Sequence, residues 1–286
     1  VFVDCDETVN MDAGLLEEAF VRHAEAGRPV TAVVPVDLLG KVVDHARIDE
    51  IASAHGVPVL ADAAESLGAK HHGRPAASFG RAAAVSFNGN KVMTTSGGGA
   101  LLTDDAALAD RVRYLATQAR QPVVHYEHTD IGYNYRLSNL LAAVGRAQLA
   151  RLDEMVERRR QHRLTYSRLF AGAPGVTLFG EPSGADGGDT RDNFWLSSIL
   201  VDPHSAGFSA EDLRLALAAA DIEARPLWKP MHLQPVFAGS RTVVNGTSER
   251  LFATGLSLPS GSVLTEAQMQ RVEAVVSSFL EVRRAG

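Results

Sequence analysis

Apolar runs of strand length alternate with amphipathic patterns through the first half of the chain. The runs VFVDC, VTAVVPVD and VPVLAD are separated by GLLEEAFVRHAEAG and DHARIDEIASAHG, in which apolar residues recur every three or four positions. Both amphipathic stretches end at a glycine, which is typical of a helix C-terminus. Continuous apolar strands between amphipathic helices predict an α/β fold, with a mainly parallel sheet and helices on both faces.

The next two strand-like runs, RAAAVSF and GGALLT, lie on either side of Lys91. The segment between them is too short for a crossover helix, so the second strand should run antiparallel to the first. A helix capped by Asp104 is expected next. A helical pattern then continues from Ser138 to residue 170.

The second half of the chain has the mixed pattern of a smaller α+β domain. Residues 180–193 are polar and rich in glycine, which predicts an exposed loop. FWLSSILVD alternates like a half-buried strand, a helix with a capping-box pattern begins at Ser209, EARPLW follows as a short strand, and a helix closes the chain. We assign residues 1–150 to a large domain, and residues 151–286 to a linking helix and the small C-terminal domain.

The composition is that of an ordinary soluble protein with a slight excess of acid. The chain has 286 residues, 28 basic and 34 acidic, and a formal net charge of −6, which argues against nonspecific binding to nucleic acid. Cys5 is its only cysteine, so we expect no internal disulfide and a reducing, cytoplasmic location. No apolar stretch is long enough to span a membrane. The histidines lack the spacing of a metal site, so no metal is expected.

Three polar side chains are expected at one edge of the sheet. Asp62 closes VPVLAD, Ser86 lies near the end of AAAVSF, and Lys91 follows Ser86 by five residues. Ligands of open α/β sheets bind at the carboxyl ends of the strands, so a carboxylate, a hydroxyl and an amine should meet there. Singly, such an aspartate is more often a helix cap, and such a lysine a solvated loop residue.

Together these groups match the needs of pyridoxal phosphate (PLP). PLP requires an amine for its Schiff base, a carboxylate that keeps its ring nitrogen protonated, and hydroxyl or N–H groups for its phosphate. Lys91 would supply the amine, Asp62 the carboxylate and Ser86 one phosphate ligand. The glycines at residues 97–99 would let the backbone pass close to a flat ring.

Four longer motifs carry a resemblance to a known family: DAAESLGA, SFNGNKVMTTSGGG, GYNYRLSNLLAAVGRAQLARLD and ARPLWKPMH. They resemble the sugar aminotransferases of the DegT/DnrJ/EryC1/StrS family, which are PLP enzymes of fold type I, and the likeness runs along essentially the whole chain. The resemblance implies that Lys91 is the lysine that bonds to the cofactor. Family members that dehydrate sugars at C3 have histidine at this position, so the lysine favours transamination.

The resemblance also implies roles for two further residues. Asn134, in GYNYR, would reach the cofactor phosphate of a neighbouring subunit, which would make the protein a homodimer with shared active sites. The alternative is that Asn134 only stabilises a turn before the helix capped by Ser138. Glu65 would lie near the cofactor ring and its phenolic oxygen, the alternative being a solvated helix residue.

A finer likeness concerns the substrate. SFNGNK with TTSGGG, ATQAR with HYEH, and RPLWKPMHLQPVF with LPSG are similar to transaminases that make UDP-4-amino-4,6-dideoxy-N-acetylglucosamine, the bacillosamine precursor. This likeness implies that Trp228, Lys229 and His232 lie near a nucleotide sugar whose C4 keto group accepts an amino group from glutamate. The alternatives are a GDP- or dTDP-linked ketosugar, or a non-catalytic relative with a binding or regulatory role. Trp228 and Met231 would otherwise belong to the core of the small domain.

Relatives carry two further cofactor contacts before the strand that matches VFVDC. One is a Gly-Thr turn at a helix N-terminus, which binds phosphate, and the other is an aromatic residue that stacks on the cofactor ring. The sequence begins after both, so we expect an N-terminal segment of the family fold to be missing from it.

Overall fold

The computed structural model describes residues 1–180 and 190–285. Its strands are β1 (Phe2–Val3), β2 (Leu60–Asp62), β3 (Lys70–His71), β4 (Arg74–Pro75), β5 (Ala82–Ser86), β6 (Gly99–Leu102), β7 (Val176–Leu178), β8 (Thr190–Arg191), β9 (Ser197–Val201), β10 (Arg225–Pro226), β11 (Thr242–Val243) and β12 (Gly255–Leu258). Its α-helices are α1 (Ala13–Glu25), α2 (His45–Ala54), α3 (Ala106–Ala116), α4 (Asn139–Leu149), α5 (Leu152–Leu169), α6 (Pro203–Ala206), α7 (Ala210–Ala219), α8 (Thr247–Thr254) and α9 (Glu266–Ala285).

The sheet that carries the candidate site has the order β2-β5-β6. Strands β2 and β5 are parallel, and β5 and β6 are antiparallel. The short connection between β5 and β6 therefore has the geometry predicted from its length. Strand β1 pairs in parallel with β11, which ties the start of the chain to a segment far along the sequence. The mixture of parallel strands and covering helices is the α/β architecture that the hydrophobic pattern predicted.

The stretch VTAVVPVD does not form the regular strand that was predicted. It joins the edge of β2 through isolated parallel bridges at Val33 and Val36, supported by backbone hydrogen bonds that include Asp37 N–H to Asp62 C=O at 2.9 Å. The carbonyl of Pro35 accepts the N–H of Asp62, so Pro35 faces β2, but it has no N–H to donate in return, and the ladder is interrupted there.

Two helix boundaries differ from the sequence-based prediction. Helix α3 is capped by Asp105 and not by Asp104, because the Asp105 backbone is extended and its Oδ1 accepts the N–H of Leu108 at 3.0 Å. The long helix predicted from Ser138 is interrupted between α4 and α5, where Arg151 leaves the helical conformation. Neither proline nor glycine marks that break in the sequence. The proposed domain boundary at residues 150 and 151 falls on it.

The C-terminal half packs around an antiparallel sheet of order β10-β12-β9-β7. Its core lies between this sheet and helices α5, α7 and α9, with Tyr166, Ile199, Leu213 and Val276 fully buried. The capping box predicted at Ser209 is present, since the side chains and backbone N–H groups of Ser209 and Asp212 bond reciprocally.

One strand and one loop in this half are shorter than the sequence pattern predicts. The short strand predicted in EARPLW contracts to β10, and the loop predicted at residues 180–193 ends in structured chain, because β8 pairs with β3 and Asn193 is fully buried. Residues 181–189 of that loop lie outside the described residues. Among the helices of the described chain, none combines the length and apolarity needed to cross a bilayer.

Candidate active site

Asp62 and Ser86 end two neighbouring parallel strands. Asp62 is paired in register with Ala84, so Ser86 lies two residues further along β5 at the same edge of the sheet. Both side chains are half-buried. The Asp62 Oδ1 accepts the N–H of Ala64 at 3.1 Å, and within residues 1–180 and 190–285 no group donates a hydrogen bond to its Oδ2. This edge therefore presents a carboxylate oxygen that is free to bind a ligand.

Lys91 lies on the loop that joins β5 to β6, just beyond Ser86. The loop is folded tightly, because Lys91 N–H donates to the carbonyl of Asn88 at 3.1 Å and Thr95 N–H donates to that of Phe87 at 2.9 Å. Only 14% of the Lys91 side chain is exposed. An amine this far from solvent needs partners if it is to carry a charge.

Among the described residues, the side chains of Glu65 and Trp195 contact the Lys91 amine. Its Nζ lies 3.5 Å from Glu65 Oε1 and 4.3 Å from the centroid of the Trp195 ring. The Glu65 side chain is 12% exposed, and its Oε2 accepts the N–H of Leu39 at 2.8 Å. The alternative in which Glu65 is a solvated helix residue is therefore wrong.

Burial raises the pKa of the Glu65 carboxyl. The N–H of Leu39 and the charge of Lys91 lower that pKa, while the nearby charge of Asp62 raises it, and the net shift is upward. A carboxylate with a raised pKa accepts a proton more readily than an ordinary glutamate. Glu65 and Lys91 are therefore suited to exchange a proton beside the sheet edge that bears Asp62.

The glycine run after Lys91 is explained mostly by the protein's own backbone. Gly98 has a φ of +96°, a conformation that favours glycine. A Cβ on Gly99 would stand 2.3 Å from the carbonyl oxygen of Val85 on the paired strand. Gly97 alone of the three has open space where a Cβ would be. Residues 98 and 99 thus serve the turn and the strand pairing, and do not require a ring beside them.

Asn193 and Trp195 are site residues that sequence reasoning missed. The sequence pattern predicts Asn193 at the end of an exposed loop and Trp195 in a half-buried strand. In the structure, Asn193 Nδ2 donates to the carbonyls of Glu65 and Leu67 at 2.8 and 3.0 Å, and its Oδ1 accepts the N–H of Trp195 at 2.9 Å. It thereby links the Glu65 segment to the ring that faces Lys91. The scarcity of tryptophan, with two in the chain, was the sole signal in the sequence.

A cavity of about 660 Å³ opens beside Glu65. Trp228, Lys229 and His232 line it together with Glu65, and most of the remaining wall is apolar. The Trp228 side chain is 45% exposed and Met231 is 48% exposed. The alternative that places these two residues in the core of the small domain is therefore wrong.

A second cavity, of about 670 Å³, shares Trp228 with the first. Its lining includes Trp195 and Asn90, the residue that precedes Lys91. The two cavities thus adjoin the Lys91 contacts, one through Glu65 and the other through Trp195.

Asn134 lies apart from these groups in the single chain. It is exposed, lines neither cavity, and forms a backbone bridge to Thr117. Its side-chain amide has no hydrogen bond within the described residues. Ser138 caps α4 as predicted, with its Oγ accepting the N–H of Leu141. A structural role for Asn134 in this turn would use its backbone and leave its amide free.

The residues present fit PLP. Within the part of the chain that the structure describes, Asp62 offers an unused carboxylate oxygen, and Ser86 offers a hydroxyl whose one partner is the N–H of Asn88, at 3.3 Å. Lys91 offers a primary amine that is held beside a carboxylate. Such a donor set suits a cofactor with a basic ring nitrogen, a phosphate and an aldehyde.

Comparison with known proteins places the chain among sugar aminotransferases. The profile of the DegT/DnrJ/EryC1/StrS aminotransferase family matches residues 1–277. EpsN of Bacillus subtilis (strain 168), named as a pyridoxal phosphate-dependent aminotransferase, is 45% identical over 96% of this chain and 70% of its own length. The GDP-perosamine synthase of Caulobacter vibrioides is 34% identical over 98% of this chain and 73% of its own length.

The fold agrees with a solved relative. The crystal structure of a DegT DnrJ EryC1 StrS aminotransferase from Brucella abortus superposes with a TM-score of 0.86 at 30% identity. The match covers 98% of this chain and 73% of that one.

Proposed function

Because the chain belongs to the DegT/DnrJ/EryC1/StrS aminotransferase family, whose members use PLP, we propose that it transfers an amino group from glutamate to C4 of a 4-keto-6-deoxy N-acetyl sugar carried by UDP. The observation that supports this most directly is the Lys91 amine, which contacts Glu65 at the sheet edge formed by Asp62 and Ser86. A primary amine held beside a carboxylate is what transamination needs at its centre.

In this proposal three residues hold the cofactor and move the proton. PLP, when bound, supplies an electron sink for the bonds at the donor's α-carbon and at the sugar's C4. Asp62 would keep the proton on the ring nitrogen, since its free oxygen can accept that N–H. Ser86 would donate its hydroxyl to the phosphate. Lys91 would carry a proton between carbon atoms with its Nζ, as a general acid and base.

Glu65 would keep the proton of Lys91 available. Its pKa is raised by burial, and its Oε2 is fixed by the N–H of Leu39, so Oε1 stays directed toward Nζ. Because Glu65 is held in this orientation, little conformational entropy is lost when the two groups reach the geometry for proton transfer.

Support for the sugar substrate comes from the cavity beside Glu65. The exposed Trp228 ring can stack on a planar base or on the face of a sugar, and Lys229 can pair with a phosphate. His232 has a partner already, with its Nε2 3.0 Å from Glu249 Oε1, which fixes the orientation of its ring. The UDP linkage and the N-acetyl group rest on the resemblance of RPLWKPMHLQPVF and LPSG.

A panel of substrates tests this proposal. The purified protein with PLP and ¹⁵N-labelled glutamate would receive the UDP-N-acetyl, GDP and dTDP 4-keto-6-deoxy sugars in parallel, with mass spectrometry of the products. We expect ¹⁵N in the UDP sugar amine, and a kcat/KM for that substrate at least about tenfold above the other two. A preference for the GDP or dTDP sugar would replace the UDP assignment. No amination of any of the three would favour the binding or regulatory alternative.

We also propose a homodimer in which Asn134 completes the partner's site. Helices α3 and α4 bury none of their side chains in the single chain. Around Asn134, large apolar side chains are exposed: Ile131 by 86%, Tyr135 by 76% and Leu140 by 82%. A surface of this kind marks an interaction site. In a twofold-symmetric dimer, Asn134 of each chain would lie against the active site of the partner chain.

Complementation between two inactive variants checks the shared site. Lys91→Ala and Asn134→Ala should each be inactive alone, while a mixed dimer would have one site with both residues intact. After subunit exchange at equal concentrations, we expect about a quarter of wild-type activity, since half of the dimers are mixed and each has one working site.

The control is the same mixing with Lys91→Ala and Lys91→Arg, which cannot form an intact site in any combination. Subunit exchange would be followed with two affinity tags. Confirmed exchange without recovery of activity would contradict the shared site.

A further inference from the structure

The Trp195 ring is one of the most firmly held groups near the candidate site. Its side chain is 2% exposed. The indole Nε1–H donates to the carbonyl of Asn90 at 2.7 Å, and the backbone N–H donates to Asn193 Oδ1. The Trp195 carbonyl accepts hydrogen bonds from Arg159 at 2.7 Å and from Ser260 at 3.0 Å. Main chain and ring are therefore both fixed.

This fixed ring faces the Lys91 amine. The Nζ lies 4.3 Å from the ring centroid, within the range in which the negative face of an indole attracts an ammonium. The indole also donates a hydrogen bond to the residue that precedes Lys91, which ties the ring to the Lys91 loop. Glu65 contacts the same nitrogen. Together Glu65 and Trp195 form a holding site for an amine that has no bond to the cofactor.

We propose that Trp195 is a positioning residue, whose indole face holds the Lys91 ammonium whenever that nitrogen is free of the cofactor. This inference rests on the proposed role of Lys91. In each half of a transamination the lysine nitrogen is released and later needed again. An amine that drifted into solvent would lose the geometry required for proton transfer. The ring keeps the amine beside Glu65 without adding a competing base.

Differential labelling of the cofactor-free protein tests this directly. The chain has four lysines, Lys41, Lys70, Lys91 and Lys229, so trace acetylation with acetic anhydride can be quantified at each by mass spectrometry. Lys70 is exposed and serves as the internal reference. Tryptophan would be replaced biosynthetically by its mono-, di- and tetrafluoro forms, which weaken the negative face of the ring with little change in shape.

We expect the labelling of Lys91 relative to Lys70 to rise with each fluorine, by about two- to tenfold across the series, as the cation–π attraction weakens. Performing the series in a Trp228→Phe background removes the other tryptophan. Trp195→Phe should give a small increase and Trp195→Leu a larger one. A ring that serves packing alone would give a flat fluorine series, and that result would overturn the proposal even if Trp195→Leu fails to fold.

A second measurement separates this inference from the proposed function. PLP added to each protein should give a visible absorbance band that Lys91→Ala lacks. If wild type forms no such band, the cofactor role of Lys91 fails, whatever the labelling shows. If the band forms and the fluorine series is flat, only the role of Trp195 is overturned.

Discussion

Lys91→Ala should abolish turnover while leaving the fold intact. The amine is the group that would bond to PLP and carry the proton, and general acid–base catalysis alone contributes on the order of 10²–10⁴ in rate, so we expect kcat to fall by at least about 10³-fold. The side chain extends from a loop, and its Nζ contacts a carboxylate and a ring. The circular dichroism spectrum should therefore be unchanged. Product formation and the visible band with PLP would be measured on the same sample.

Two further variants show whether the loss is chemical. Lys91→Arg keeps a positive charge beside Glu65 but has no amine that can bond to PLP, so it should be as inactive as Lys91→Ala. Lys70→Ala removes an exposed lysine and should retain full activity. If Lys91→Ala keeps more than about a tenth of the wild-type kcat, the assignment of Lys91 is wrong.

Lys91→Ala should also raise the pKa of the Glu65 carboxyl. The Lys91 charge lowers the pKa of Glu65, against the upward effect of burial, so removing Lys91 should raise that pKa further. ¹³C NMR of labelled glutamate, in the cofactor-free protein, would follow the titration of this carboxyl. A pKa that stays the same would mean that Lys91 and Glu65 do not interact in solution.

Asp62→Asn should weaken PLP binding, and it should lower kcat by a larger factor than it lowers the PLP affinity. The amide keeps an Oδ1 that can accept the N–H of Ala64, so the turn after β2 should survive. The amide has no charge, however, so it cannot stabilise a proton on the cofactor's ring nitrogen. The loss of one charge-assisted hydrogen bond, about 1.5–3 kcal/mol, corresponds to roughly 10- to 150-fold in PLP affinity. We expect kcat at saturating PLP to fall by about 100-fold or more.

A matched loss of charge elsewhere serves as the control. Glu211 is an exposed partner of Arg214 on α7, and Glu211→Gln should change neither PLP affinity nor kcat. PLP affinity would be measured from the visible band, and kcat at saturating PLP and glutamate. A kcat for Asp62→Asn within a few-fold of wild type would mean that Asp62 does not act on the ring nitrogen.

The sequence by itself determined the elements and the chemistry that local residues control. Strand-length apolar runs placed Asp62 and Ser86 at strand ends, the short β5–β6 connection required antiparallel pairing, and Ser138 and Ser209 capped the helices they were expected to cap. These features depend on residues within a few positions of one another, so the sequence pattern is enough to predict them. The motifs around Lys91 were long enough to identify the family.

Only the tertiary structure decided which groups surround the Lys91 amine. Glu65 lies 26 residues away along the chain, and the ring of Trp195 bonds to Asn90 across 105 residues. Asn193, assigned to an exposed loop, is buried as the link between the two segments. Such contacts depend on how separate elements pack and on the need of buried polar groups for partners, and neither leaves a periodic pattern in the sequence. The local sequence therefore placed Lys91 just beyond a strand end, and long-range packing brought the Glu65 carboxylate and the Trp195 ring to its amine.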